Sequence, residues 1–493
     1  VTGDKRIGSL NAVADETHDA LAVRADSSAP PVGLDVRDGD SRAPTESHER
    51  PSILQLALPA ILGNLLYGIV GLVQTKVVGQ LGAEALAAVG AGQRVFFALQ
   101  AVMMAIGAGT TALVARAWGR NDELEAGRIT IASLVLGGVF GLVLTIPGVF
   151  FSSHVAGIFG LDAHTVELAA ANIRWLSIFN VAFAANFIMG GALRAAGDAW
   201  TPLYVGAFVN VVNIPLLYAL VFGWWGAPAM GVAGAALAAG LSFTIGAIIL
   251  VGLWWNQRLL IKHIRGGWFR TERLKRLLDI GYPAGLEQII FQAGFFAFLM
   301  LIGNFYGTQA FAAYNIGVNM LNICMVAGFG FSIAGSTLVG QALGADDTQG
   351  AVRAGWHSLR MAIVTMGALG AIVIYFARDL ATFFIGNDQD TIQHTVEFTW
   401  VLGAMMPLMA VDFAIGGSLR GAGDTRYPMM ATAFGLIGMR CTLAAIFTYF
   451  DLPVRWVYAA LIGDYTLKGI MLLWRFRSGR WKYVVRNEEL MRN

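Results

Sequence analysis

The sequence predicts an all-α polytopic membrane protein, with twelve transmembrane helices in two pseudo-symmetric six-helix lobes. Three observations predict it. Of 493 residues, 56% are hydrophobic and only 13% are charged, against roughly 25% charged in an average soluble chain. Apolar stretches recur from residue 53 to residue 474, each long enough for the roughly 20 residues a helix needs to cross a bilayer core. The chain also repeats itself at a nearly constant offset. The segments lack the alternating pattern of an outer-membrane barrel.

Residues 1–50 are rich in Asp, Glu, Ser, Pro and Arg and hold no apolar run of signal-peptide length; they are expected to form a disordered cytoplasmic tail. Spans are then expected at 53–78, 86–116, 127–151, 166–192, 202–222 and 229–254, making an N-terminal lobe over 51–256. Residues 257–276 are basic and interleaved with Leu259, Leu260, Ile261, Ile264, Trp268 and Phe269, as in an amphipathic linker lying at the cytoplasmic membrane surface. The second lobe, 277–475, has spans at 279–304, 310–342, 354–377, 392–418, 428–449 and 454–474, and a basic tail closes the chain at 476–493.

Charge orients these spans. One set of connections carries Arg116, Arg120, Arg128, Arg194, the cluster at 258–276, Arg353, Arg420, Arg426 and the C-terminal tail. The opposite connections near 80–84, 153–164, 223–228 and 304–308 hold no Lys or Arg, and only Arg378 and Arg455 break the pattern. The positive-inside rule places both termini in the cytoplasm and the chain in an inner membrane.

The repeat is dense. Gly82 through Arg128 lies on Gly307 through Arg353 without a gap, matching Leu113/Leu338, Gly119/Gly344, Asp122/Asp347 and Arg128/Arg353. Further on, 190–198 lies on 416–424, with Arg194 opposite Arg420 and Asp198 opposite Asp424. Shared composition produces Ala and Gly matches cheaply, but not Arg and Asp matches in loops. Six spans per half give both halves the same orientation, related by an axis along the membrane normal.

Several function classes lose support. A net charge of +2 gives no reason to expect a nucleic-acid partner. Cys324 and Cys441, the only cysteines, lie in apolar runs and read as packed thiols rather than a disulfide framework. There is no phosphate loop, no metal-ligand spacing and no nucleophile constellation, so neither an ATP-driven machine nor an enzyme is expected. Any energy source is then an ion gradient, or there is none, and no cofactor is expected beyond a transported H+ or Na+.

Ionisable residues inside spans are costly in hydrocarbon and mark candidate sites. Glu287 lies early in the seventh span beside Gln288, with Gln292 one turn on. Asp412 lies mid-way along the tenth, where desolvation of its charge suits it to proton exchange. Arg440 in the eleventh span is the expected partner of Asp412, and Asp464 and Lys468, four apart, are expected to pair with each other. Glu287 and Asp412 are the ion-coupling candidates, for H+ or for Na+ bound near either. Gln74, Asn213, Gln288, Gln292, Tyr314, Asn315, Asn319 and Arg440 are the candidates for a substrate cavity. Pro215 and Pro407 invite kinks.

At Leu81-Gly-Ala-Glu-Ala-Leu-Ala-Ala-Val89, Gly191-Ala-Leu-Arg-Ala-Ala-Gly-Asp198, Leu338-Val-Gly-Gln-Ala-Leu-Gly344 and Gly417-Ser-Leu-Arg-Gly-Ala-Gly-Asp-Thr425, the chain resembles the multidrug and toxic compound extrusion (MATE) family, in its bacterial DinF-like and NorM-like branches. The resemblance covers residues 51–482. It implies a V-shaped cleft between the lobes and a monomer that exports amphipathic organic cations in exchange for H+ or Na+. Some members carry Val-Asp-Thr in the first span, where this chain has Val73-Gln74-Thr75, and an Asn and Asp four apart in the fifth, where it has Asn213 and Leu217. Leu286-Glu287-Gln288 matches a bacterial sub-group, so coupling is expected in the C-terminal lobe. A lipid-linked precursor flippase of similar architecture is the alternative, disfavoured by how few buried cations the sequence offers.

Overall fold

The computed structural model describes residues 51–264, 266–385 and 389–484; the N-terminal tail and the last nine residues lie outside the described residues. Among these, helices and no strands are found. The N-terminal lobe contains α1 (Ile53–Gly79), α2 (Ala83–Gly119), α3 (Glu123–Phe150), the bent α4 (Ala163–Ile178 with Asn180–Ala196), α5 (Trp200–Phe222) and α6 (Gly231–Trp255). The C-terminal lobe contains α7 (Thr271–Gly307), α8 (Ile316–Gly344), α9 (Thr348–Tyr375), α10 (Gln389–Gly421), α11 (Arg426–Tyr449) and α12 (Val454–Ser478). Ten of these helices are long and apolar enough to cross a bilayer, and the bent pair makes an eleventh. The twelfth carries Asp464 and Lys468 mid-helix, and both are buried.

The repeat seen in sequence is a repeat of local structure. Asp122 and Asp347 are N-caps, accepting from Glu125 N at 2.8 Å and Gly350 N at 2.7 Å, which satisfies an otherwise orphan donor of the first turn. The preceding Asn121 and Asp346 both take left-handed backbone, φ 58° and 55°, a conformation Asn and Asp tolerate best after Gly. Chain reversal between the first two helices of each lobe uses Gly82 and Gly307, φ 109° and 79°. The matched Asp and Gly residues therefore encode turns and caps.

α4 bends by 52° at Phe179, where no proline stands. The Phe179 ring fills the notch left by Gly240 on α6, so the bend is a packing feature. Pro215 and Pro407 lie inside α5 and α10, which remain single helices. Among its described residues the linker forms no regular helix up to Arg270, and α7 reaches back into it from Thr271. Leu259 and Ile261 are buried on the N-terminal lobe. Glu123 binds Lys262 at 2.8 Å, and Glu125 takes two hydrogen bonds from Arg273 at 2.9 and 2.7 Å, strapping the linker to the start of α3.

The lobes meet from mid-helix to the basic end. Ala105 of α2 faces Gly281 of α7, and Ala57 and Ile61 of α1 face Gly330 of α8. Gln341 donates to Ala195 O at 2.8 Å and Arg116 to Ala422 O at 2.7 Å. At the tip, Gly119 rests against the backbone of Gln341, and Gly344 against the backbone of Arg116; the two contacts are related by the repeat. A Cβ at either glycine would press into a carbonyl oxygen. Gly119→Val is expected to destabilise this closed end by about 1–3 kcal/mol and to favour arrangements with it open. Spin-label distances across the basic end in detergent would lengthen relative to the parent protein.

Candidate ion-coupling site

The C-terminal lobe brings together six ionisable side chains from four of its helices, α7, α10, α11 and α12. Glu287 on α7 accepts from one guanidinium edge of Arg420 of α10 through both carboxylate oxygens, Nη2 to Oε1 at 2.6 Å and Nε to Oε2 at 3.3 Å. Thr432 on α11 donates its hydroxyl to the same Oε1 at 3.0 Å. A bidentate fork of this kind fixes orientation as well as charge. Arg420 reaches Glu287 by lying back along its own helix toward Gly416, where a Cβ would stand 3.4 Å from its Nη1.

Asp412 lies two turns earlier on α10, on the same helix surface: its Oδ1 is 3.7 Å from that same Cβ position. Its carboxylate makes no hydrogen bond and no ion pair among the described residues, yet it lies in the electrostatic reach of Lys468, Arg420, Glu287 and Asp464.

The expected Asp412–Arg440 pair is not formed. Arg440 binds Asp464 of α12 instead, and Lys468 binds the other oxygen of Asp464 at 3.3 Å. The reason is local. α11 is π-helical over Ala433–Cys441, and this wide turn packs on α12 and delivers Arg440 there. π-Turns inside α-helices are rare and concentrate at functional sites. Arg440, Asp464 and Lys468 are all at most 3% exposed, and Tyr465 lies under both cations, 5.7 Å from Arg440 and 4.8 Å from Lys468. The anticipated Asp464–Lys468 pair is present, but as part of a triad.

The neutral candidates scatter. Gln74, Gln288 and Gln292 are half-buried and Asn319 is exposed. The Asn315 side chain lies outside the described residues. Asn213 is buried and donates to Ser242 on α6 at 3.1 Å, a bond that ties α5 to α6 inside the lobe. Tyr314, 1% exposed, packs among Phe298, Phe398 and Tyr458. Both were expected at a cavity wall and are core instead, because their polar or aromatic surface is consumed by packing between helices. Arg420 and Thr432 were missed in sequence. Arg420 stood among the loop arginines of the repeat, and only its position four residues after a glycine hints that it turns inward.

The MatE family model matches residues 59–219 and again residues 283–446. The chain belongs to the MatE family. The two matches fall one on each lobe of this MatE transporter, as the duplication requires. It is 29% identical over 442 residues to a probable multidrug resistance protein NorM of Thermotoga maritima, covering 88% of this chain and 93% of that one. It is 24% identical over 455 residues to a probable multidrug resistance protein YoeA of Bacillus subtilis, covering 89% and 96%. Its fold is similar to a solved outward-facing conformation of a multidrug resistance MATE family transporter, at a TM-score of 0.81 and 23% identity over 87% of this chain and 96% of that one. Among the described residues of this MatE chain, no three His, Cys, Asp or Glu side chains converge on a metal site.

Proposed function

We propose that this chain exports amphipathic organic cations in exchange for H+ or Na+, by alternating access of its two lobes, with Asp412 as the coupling acid. One observation carries the choice: Asp412 is the only carboxylate of the six-group cluster without a hydrogen bond or ion pair among the described residues. Glu287 and Asp464 are each engaged by cations, and an acid already neutralised by a fixed arginine is a poor exchange site. With all six groups ionised, three carboxylates face three cations; Asp412 carries the balancing charge, and a proton, Na+ or an organic cation can each take it up in turn. The multidrug-resistance names of its relatives support the substrate class.

The positive-inside rule puts the basic end in the cytoplasm. The lobes touch at that end, which supports reading this arrangement as outward-facing. In it Asp412 takes the ion and releases the cargo; on return it sheds the ion and regains the charge that draws the next cation.

The test uses the purified chain in liposomes preloaded with ethidium, with pH and Na+ gradients imposed separately. One gradient is expected to drive export, and Asp412→Asn to reduce that export to the rate of protein-free liposomes. Undiminished gradient-driven export in Asp412→Asn overturns the assignment of this acid.

A further inference from the structure

The duplication makes each lobe a control for the other, and one residue fails the comparison. Arg194 on α4 is the repeat partner of Arg420. It too lies back along its helix, with Nη1 3.2 Å from where a Cβ of Gly190 would stand, as Arg420 does over Gly416. Yet the Arg194 guanidinium has no hydrogen bond and no ion pair among the described residues, and no acid acts on it electrostatically. It is half-buried, and none of its nitrogens is sealed from open space.

The surroundings explain this by subtraction. Pro59-Ala60 lies on Pro283-Ala284, which sets Gly63 opposite Glu287. Asn186-Phe187 lies on Asp412-Phe413, and Gly206-Ala-Phe208 on Thr432-Ala-Phe434. The acid, the second acid and the hydroxyl around Arg420 are thus replaced by Gly, Asn and Gly. Asn186 is occupied elsewhere, donating to the carbonyls of Ala182 and Phe243. Room is left where the side chains were lost: a Cβ at Gly63 meets only Leu203 Cδ1, at 3.8 Å, and one at Gly206 meets nothing within 4 Å.

We propose that Arg194 is an anion receptor in the N-terminal lobe, taking a carboxylate or phosphate oxygen pair in the space Glu287 fills in the C-terminal lobe. Arg194 stands in the last turn of its helix, but its side chain folds back toward Gly190 with no acid beside it, and its planar fork matches such groups in two hydrogen bonds. The ligand is then the acidic group of a zwitterionic amphipathic cargo, or the phosphate of an acidic lipid. Naming it as cargo rests on the transport reading; binding itself does not.

The experiment measures binding without any gradient, so a failure of coupled export leaves it intact. The full chain is placed in phosphatidylcholine nanodiscs, and fluorescence anisotropy gives the affinities for rhodamine B, a zwitterion with a free carboxylate, and for its ethyl ester, a cation alone. The parent protein is expected to prefer the acid by roughly tenfold, the scale of one charge-assisted contact. Arg194→Gln should bring the ratio to about one, and Arg194→Lys should restore part of it. Gly63→Glu, at a position with open space, should also abolish the preference by supplying the missing internal carboxylate, and it serves if Arg194→Gln does not fold. Repeating the parent measurement with phosphatidylglycerol separates the sources: a preference that persists assigns cargo, and one that vanishes assigns the lipid phosphate. A ratio near one in the parent protein in both bilayers, or an unchanged ratio in Arg194→Gln and Gly63→Glu, overturns the proposal.

Discussion

Asp464→Asn is expected to unfold much of the C-terminal lobe, costing about 3–5 kcal/mol, the range for removing one partner from a buried ion pair. Asp464 is fully buried and is the common partner of Arg440 and Lys468. An asparagine keeps the volume but leaves two cations facing each other with no formal counter-charge between α11 and α12. Tyr465 offers both only the face of its ring, a contact of about 2 kcal/mol when desolvated that carries no formal charge. Thermal unfolding in detergent, followed by size-exclusion recovery, reads the effect. The double variant Asp464→Asn with Lys468→Met removes one surplus cation and should regain a substantial part of the loss. Unchanged thermal stability in the single variant would mean the triad is not the brace between these helices.

The sequence showed the lobes, the span order and the duplication because those rest on composition and on turn chemistry. Asp122 and Asp347 cap helices, and Gly82 and Gly307 reverse the chain, and such residues repeat visibly. The pairing of charges was not legible in the same way. Spacing along one helix correctly joined Asp464 to Lys468, since four residues bring side chains to one face. It could not show that Arg440 meets them, because that depends on a π-turn whose extra residue leaves no mark in hydropathy. Nor could it show that Arg420 turns into the lobe toward Glu287, since the same arginine motif served as evidence of a basic loop. Tyr314 and Asn213 were misread for a related reason: in a span, a polar or aromatic residue looks alike whether it lines a cavity or ties two helices together.

Glu287→Gln provides the sharper test of how the acid cluster works, because its expected outcome differs between the two acids. Glu287 holds Arg420 through both carboxylate oxygens, and a glutamine removes the charge-assisted part, about 1.5–3 kcal/mol. Arg420 then has one other acid on its own helix face, Asp412, with only Gly416 between them. It should turn to Asp412 and neutralise it, a shift of roughly tenfold or more in occupancy. Gradient-driven ethidium export is therefore expected to fall as it does in Asp412→Asn, although Asp412 is intact. Adding Arg420→Gln to Glu287→Gln removes the intruding cation, and export should recover in part. If Glu287 were itself the exchanging acid, that double variant would stay inactive. Recovery thus assigns Glu287 to holding Arg420 away from Asp412, and persistent inactivity moves the coupling site to Glu287.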